Sequence, residues 1–384
     1  MNVRSMTMPI SDSTQKGFAR PIPFRSQSAG YRLRLRVAAA LVVSLLAMPV
    51  AAETAAPAAK ADAPAQAGAP MTGMVERTFC IWDPVGSSGP IVSLVRNAQP
   101  AMLAIGVKLN IQAYTDENIA ANDFKGGNCD GVLITEVNAR QFNAFTGTLG
   151  AIGAIPGDKE LKTLLTTLAQ PKAAKLMRQG PYEVAGILPI GSVFIFVRDR
   201  SVDTVEELQG KKMAVFENDP VAMNMVRRIG GSVVGSSLAN FSGQFNNGSV
   251  DVIFAPAVAY NTMELYKGLQ SGGGILDFPL LQTSMQIVIA WEKFPEGFGQ
   301  LMRSLLMQRF SEFQSMVQQA QSEIPAENWI RLPEERKEEY RNFMRDSRIA
   351  LMKEGLYDAK ALRLMKKVRC KHSPAAAECS SSEE

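Results

Sequence analysis

The 384-residue chain is 46% hydrophobic and 20% charged, the balance of a globular protein long enough for two domains. Its formal net charge of +4 is unevenly placed: residues 1–52 hold seven Lys/Arg against Asp12 alone, and the remainder carries 34 basic and 36 acidic residues. A body so close to neutrality has no global field to attract nucleic acid or anionic lipid.

The basic start has a local cause. Arg32-Leu-Arg-Leu-Arg36 leads into an apolar run of about sixteen residues that ends in Val50-Ala51-Ala52. This is the pattern of a secretory signal peptide, and the run is short against the ~20 residues of a membrane span. Residues 1–52 are therefore expected to be removed on export, leaving a periplasmic protein with no membrane insertion. Residues 53–74 are rich in Ala and Pro and read as a linker. Export also gives the cysteines meaning, because the periplasm is oxidising. Cys80, Cys129, Cys370 and Cys379 allow three pairings, and proximity favours Cys80–Cys129 and Cys370–Cys379. The single histidine, His372, and the absence of CxxC leave no metal site to expect.

The folded body begins with a strand at Val75–Trp82, followed by the loop Asp83–Pro90 and a helix from Ile91 to Ile105. Val107–Ala113 alternates strictly and is a second strand. A helix after Thr115-Asp-Glu leads to Lys125-Gly-Gly-Asn, and Cys129–Thr135 is a third strand. Helices are expected over Asn138–Phe145 and Asp158–Leu176. Gly186–Val197 is a long apolar strand. A short helix at Val205–Leu208 stops at Gly210, and Met213–Phe216 is a strand. Pro220 then opens a helix that runs to Gly230-Gly231. A helix around Phe241–Phe245 and a strand at Val250–Phe254 complete a βαβ unit, whose strands present their carboxyl ends to one edge. Ala257–Tyr266 is predicted helical, Thr283–Trp291 is a long strand, and Gly297–Gln321 is one amphipathic helix. Charged helices follow at Glu334–Glu354 and Asp358–Arg369, read as solvated faces.

Two long strands thus bracket a self-contained unit, as when a chain crosses a hinge, builds a second lobe and returns. The expected division is residues 75–190 with 283–384 for the first lobe and 191–282 for the second. The expected fold is α/β, two βαβ lobes joined by hinge strands and closed by C-terminal helices.

A family resemblance supports this layout. Val205-Glu-Glu-Leu-Gln-Gly-Lys-Lys-Met-Ala-Val215, Arg228-Ile-Gly-Gly231, Gln244–Asp251, Pro279–Phe294 and the Gly127-Asn-Cys-Asp-Gly-Val turn together resemble periplasmic solute-binding proteins of TRAP-type transporters. The resemblance spans most of residues 75–325 at low identity, and is nearest to exported solute-binding proteins of unassigned function. It implies a small-molecule ligand, inner-membrane transporter subunits as partners, and no cofactor. One position departs from the pattern: the family's ligand-gripping strand arginine falls on Ala214, which cannot clamp a carboxylate. Either Arg140 or Arg198 replaces it, or the ligand is not a simple carboxylate.

In open α/β sheets ligands bind beyond the carboxyl ends of strands. The candidate ligand residues are accordingly Trp82, Asp83, Ser87 and Ser88; Thr135 and Glu136; and Phe216, Glu217 and Asn218. Tyr260 and Met285 are placed to close over the ligand. The acids Asp83, Glu136, Glu217 and Asp219 suit a polar or cationic solute, or serve as helix N-caps. Ser87-Ser88-Gly89 could seat an anion on backbone amides at a helix start. A ligand-independent periplasmic adaptor or assembly factor on the same fold is the alternative. A hydrolase has the weakest support, because His372 is the only histidine available as a base and no nucleophile motif is present.

Overall fold

The computed structural model describes residues 73–384, so the expected signal peptide and nearly all of the linker lie outside the described residues. The strands are β1 (Val75–Trp82), β2 (Val107–Tyr114), β3 (Gly131–Thr135), β4 (Arg178–Gln179), β5 (Tyr182–Val197), β6 (Lys212–Phe216), β7 (Ser232–Ser236), β8 (Val252–Pro256), β9 (Gly274–Leu276), β10 (Leu281–Ala290) and β11 (Trp329–Ile330). The helices are α1 (Pro90–Ala104), α2 (Glu117–Lys125), α3 (Glu136–Ala139), α4 (Asp158–Leu168), α5 (Pro220–Ile229) and α6 (Leu238–Asn246). They continue with α7 (Ala259–Thr262), α8 (Tyr266–Leu269), α9 (Phe298–Gln308), α10 (Phe310–Ser322), α11 (Glu334–Lys353) and α12 (Ala359–His372). None of them is long and apolar enough to cross a membrane.

One mixed sheet runs through the molecule in the order β2-β1-β3-β10-β5-β8-β6-β7. Two strands tie its halves together. The amino-terminal part of β5 pairs antiparallel with β10, and its last residues, Val193–Val197, pair with β8. β10 in turn pairs antiparallel with β3, with Met285 opposite Thr135. The carboxyl ends of β1 and β3 therefore meet those of β6 and β8 across a crossing formed by residues 189–193 and 281–285.

Burial on both faces explains why β5 and β6 read as apolar runs rather than alternating ones. Along β5, Ile195 and Val197 join the larger core while Phe194 and Phe196 join a second cluster with Phe241, Phe245 and Ile253. Along β6, Met213 and Val215 face the larger core and Ala214 the second. A large residue at Ala214, 1% exposed, would have to displace that second cluster. At the first sheet half, Cys80 and Cys129 are bonded with Cα atoms 5.9 Å apart, and Cys370 and Cys379 are bonded at 5.7 Å.

Several elements differ from the sequence expectation. The helix expected through Leu176 ends at Leu168, because Pro171 starts a separate 3-10 segment. Asn138–Phe145 is not a helix: α3 ends at Ala139, and the chain turns through Arg140. Gly297–Gln321 divides into α9 and α10 at Arg309. Ala257–Tyr266 holds only the one-turn α7 and the start of α8. The strand β7 was not expected, since Ser232, Gly235 and Ser236 dilute its two valines.

Candidate functional site

The strand ends place side chains from both sheet halves against one another. After β3, Glu136 opens α3, and its buried carboxylate accepts a hydrogen bond from Ser284 Oγ of β10 at 2.7 Å. Burial pushes its pKa up to about 7, against the opposing pull of that hydrogen bond and of Arg140. Gly150 is required beside it, because a Cβ there would overlap the Glu136 carboxylate. Glu136 lines a small cavity with Gln282, Thr283, Ser284, Ile187 and Pro189. Next to it, Glu117 of α2 accepts from the Thr135 amide, and burial raises its pKa as well.

From the other half, Asn218 reaches across. Its Nδ2 donates to Oδ1 of Asn118 at 3.0 Å and to Oδ1 of Asn138 at 3.1 Å. Arg140 lies beside this bridge. Its Nε donates to the Gly147 carbonyl at 3.1 Å and its Nη1 is 3.7 Å from Asp219 Oδ1. The Asp219 carboxylate is itself fixed, accepting from the Val221 and Ala222 amides at 3.1 Å to cap α5. Asn138 is 6% exposed; its Nδ2 makes no hydrogen bond of good geometry among the described residues, but its side chain lies beside the Glu117 carboxyl and opposes the rise of that group's pKa.

The expected site residues divide into groups. Thr135, Glu136, Asn218 and Met285 fall at the crossing, with Met285 buried opposite Thr135. Trp82 ends β1 inside the larger core, and the Phe216 ring lies tilted against Phe241 with centroids 5.1 Å apart. Asp83 takes the N-cap alternative: it is buried, and its Oδ2 accepts from the Ile91 and Val92 amides at 2.7 and 3.0 Å. Its carboxyl group thus occupies the start of α1, where Ser87 and Ser88 were expected to seat an anion; both serines are exposed. Glu217 is exposed and lies against Gly235 of β7. Tyr260 turns away, its hydroxyl accepting from Asn328 at 2.7 Å.

Of the two arginines considered as replacements at Ala214, Arg198 follows β5 and binds the Phe245 and Asn246 carbonyls, beside the amino end of β8. Arg140 alone of the pair stands at the crossing. Asn118, Asn138 and Ser284 were missed by the sequence reading, although each lies within a few residues of a strand end, the signal used for the others. Among the described residues no group of His, Cys, Asp and Glu is arranged to hold a metal.

Residues 90–384 match the family model described as Solute-binding protein AdeT 1/2. The chain belongs to that family. Within it, the chain is 39% identical over 304 residues to the probable solute-binding protein AdeT1 of Acinetobacter baumannii, covering 79% of this chain and all of the relative. AdeT2 of the same organism is 27% identical over 233 residues, covering 61% of this chain and 98% of the relative. Among solved structures, a TRAP periplasmic solute-binding protein of Desulfovibrio salexigens with bound orotic acid superposes with a TM-score of 0.62 at 14% identity, covering 78% of this chain and 99% of that one. One of Haemophilus influenzae with bound L-gulonate gives 0.62 at 11% identity, covering 77% and 98%. At such identities these likenesses concern the fold: this AdeT-family chain is a two-lobed α/β solute-binding protein.

Proposed function

We propose that the chain works in the periplasm after loss of residues 1–52, capturing a small polar solute between its lobes for a TRAP-type or related transporter. Residues 75–190 with 283–384 would make one lobe and residues 191–282 the other, joined by β5 and β10 and closing by hinge bending. The observation that carries this reading is the set of contacts across the crossing, Asn218 to Asn118 and Asn138, and Arg140 to Asp219. Such contacts are what closure of two lobes forms. Arg140 is a donor at the crossing, so of the polar or cationic solutes that the acids were expected to suit, the geometry favours a polar one with an anionic or acceptor-rich end. Two of those acids, Asp83 and Asp219, are occupied as caps. Membership of a solute-binding family supports binding without catalysis, and the ligands held by the two structural neighbours are small and anionic or polar.

The test is a thermal-shift screen of residues 53–384 against acids, amines, sugars and aromatic acids, followed by calorimetry on hits. A hit lost in Arg140→Ala, whose melting temperature stays near that of the parent, supports the reading. A hit that survives Arg140→Ala places the ligand elsewhere. A second reading has its own observation: Ala214 stands where the resembled family grips its ligand, and the protein's own side chains span the crossing. No hit in any class, together with capture of an envelope protein, would establish the ligand-independent adaptor instead.

A further inference from the structure

Behind the crossing lies a second polar assembly that solute capture does not use. Arg348 of α11 and Arg369 of α12 are 2% and 6% exposed, so two guanidinium groups are buried. Their counter-ions come from the segment 373–384. Arg369 Nε and Nη2 donate to Glu378 at 2.7 Å, and Glu384 bridges the two guanidinium groups, one oxygen to each. Arg345 holds Glu383 at 2.9 Å. The segment is fastened at its other side by the Cys370–Cys379 disulfide.

The same two arginines grip the loop 149–155. Arg348 Nη1 donates to the Ile152 carbonyl at 2.9 Å, and Arg369 Nη1 to the Ala154 carbonyl at 2.7 Å. That loop bears on the candidate cleft directly. Gly150 abuts the Glu136 carboxylate, and the Gly153 amide donates to the Leu280 carbonyl immediately before β10. Removing the acids would leave two guanidinium groups without counter-ions, and they would turn toward the water that takes the acids' place. Their hold on 152 and 154 would go with them.

The two disulfides differ in access. Cys80 and Cys129 are 0% and 1% exposed, whereas Cys370 and Cys379 are partly exposed and flanked by exposed Lys371 and Ser380. A thiolate must reach a sulfur to exchange with it, so a reductant meets the outer bond first.

We propose that residues 373–384 form a redox-releasable acidic strap, whose seating in the Arg348–Arg369 socket sets the packing of loop 149–155 behind the cleft. A dithiol supplies two electrons and two protons: the Cys370–Cys379 bond breaks, both sulfurs become thiols, and the dithiol closes to a cyclic disulfide. The strap, no longer closed into a loop, then gains freedom and leaves the socket. The consequence for solute affinity rests on the cleft reading above; the release itself does not.

The experiment is hydrogen exchange by mass spectrometry on residues 53–384, which needs no ligand. Three samples are compared with untreated protein: protein treated with mild dithiothreitol, Cys370→Ser/Cys379→Ser, and Glu378→Gln/Glu384→Gln. Iodoacetamide labelling after dithiothreitol identifies the reduced pair. We expect label on Cys370 and Cys379 before Cys80 or Cys129, and exchange at amides 149–155 faster by roughly fivefold or more in all three samples. Peptides of α5 and β6 should exchange unchanged, which shows that the fold persists. Faster exchange in 373–384 with 149–155 unaltered would overturn the coupling, and prior labelling of Cys80 or Cys129 would overturn the selectivity. A protein that passes this test but binds nothing in the screen would retain its strap and lose only the solute-binding assignment.

Discussion

Glu136 sits where burial and ionisation pull in opposite directions. Its folded pKa of about 7 lies above the usual carboxylate value of 4.5, and burial is the main cause. The native state therefore keeps a proton that the unfolded chain has lost, so stability falls as pH rises from about 4.5 to about 7. A shift of that size corresponds to about 3 kcal/mol of destabilisation once the group is ionised. Glu136→Gln cannot ionise. Denaturant unfolding at about pH 5 and about pH 8 should show the stability of Glu136→Gln gaining on that of the parent by up to ~3 kcal/mol, nearly all of it in this window. A constant gap at both pH values would mean the carboxyl is not protonated in the fold. Asp83 is a second buried acid, and its carboxyl oxygens cap a helix. Asp83→Ala should cost about 1–2 kcal/mol and raise hydrogen exchange in the first turn of α1, because the Ile91 and Val92 amides lose their acceptor. At this scale the sequence was partly readable. Strand ends pointed to Glu136 and Asn218, but nothing in the chain distinguishes a ligand-facing Asp83 from a capping one. That depends on whether the side chain folds back over Gly89, where even a methyl group would overlap its carboxylate.

Among the elements, β5 carries the greatest demand. Its second residue, Glu183, is buried and paired with Arg303 of α9 at 2.7 Å, and its far end lies against β8 and β9. Midway, Gly191 has φ +117 and faces Val317 of α10, where an added Cβ would come to 2.5 Å from a valine methyl. Gly191→Val combines a disfavoured backbone with that overlap, and should destabilise by roughly 2 kcal/mol or more in chemical unfolding. The run Gly186–Val197 announced this strand through its apolar, β-branched character, and Val75–Trp82 was legible to the residue. The Glu183–Arg303 pair was not, since its partners are 120 residues apart and an isolated charge in an apolar run says nothing about its partner. β7 escaped for a different reason: its pairing with β6 supplies what its Gly and Ser residues lack in propensity.

For the whole molecule, the proposed closure makes the contacts across the crossing part of what holds the closed form together. Asn218→Ala removes both bonds to Asn118 and Asn138, and with them part of what holds the halves together. We expect the unliganded variant to show a larger radius of gyration in small-angle scattering and to return to the parent value with a ligand from the screen. An unchanged radius without ligand would show that Asn218 does not govern closure. The overall plan was the most legible level, because two long apolar strands around a self-contained βαβ unit leave few topologies that avoid crossing connections.

The placement of β10 between β3 and β5 also bears on how the chain is made. Until residues 281–290 exist, the sheet has a gap at its centre, and β3 has no neighbour on that side. A growing chain therefore cannot complete its main core from early segments alone; it depends on pairings of long sequence separation, which form slowly. Ribosome-bound chains stopped short of residue 281 should remain protease-sensitive throughout, and chains extended past residue 290 should acquire resistance. For a chain exported as proposed above, late completion of the centre would be a useful delay.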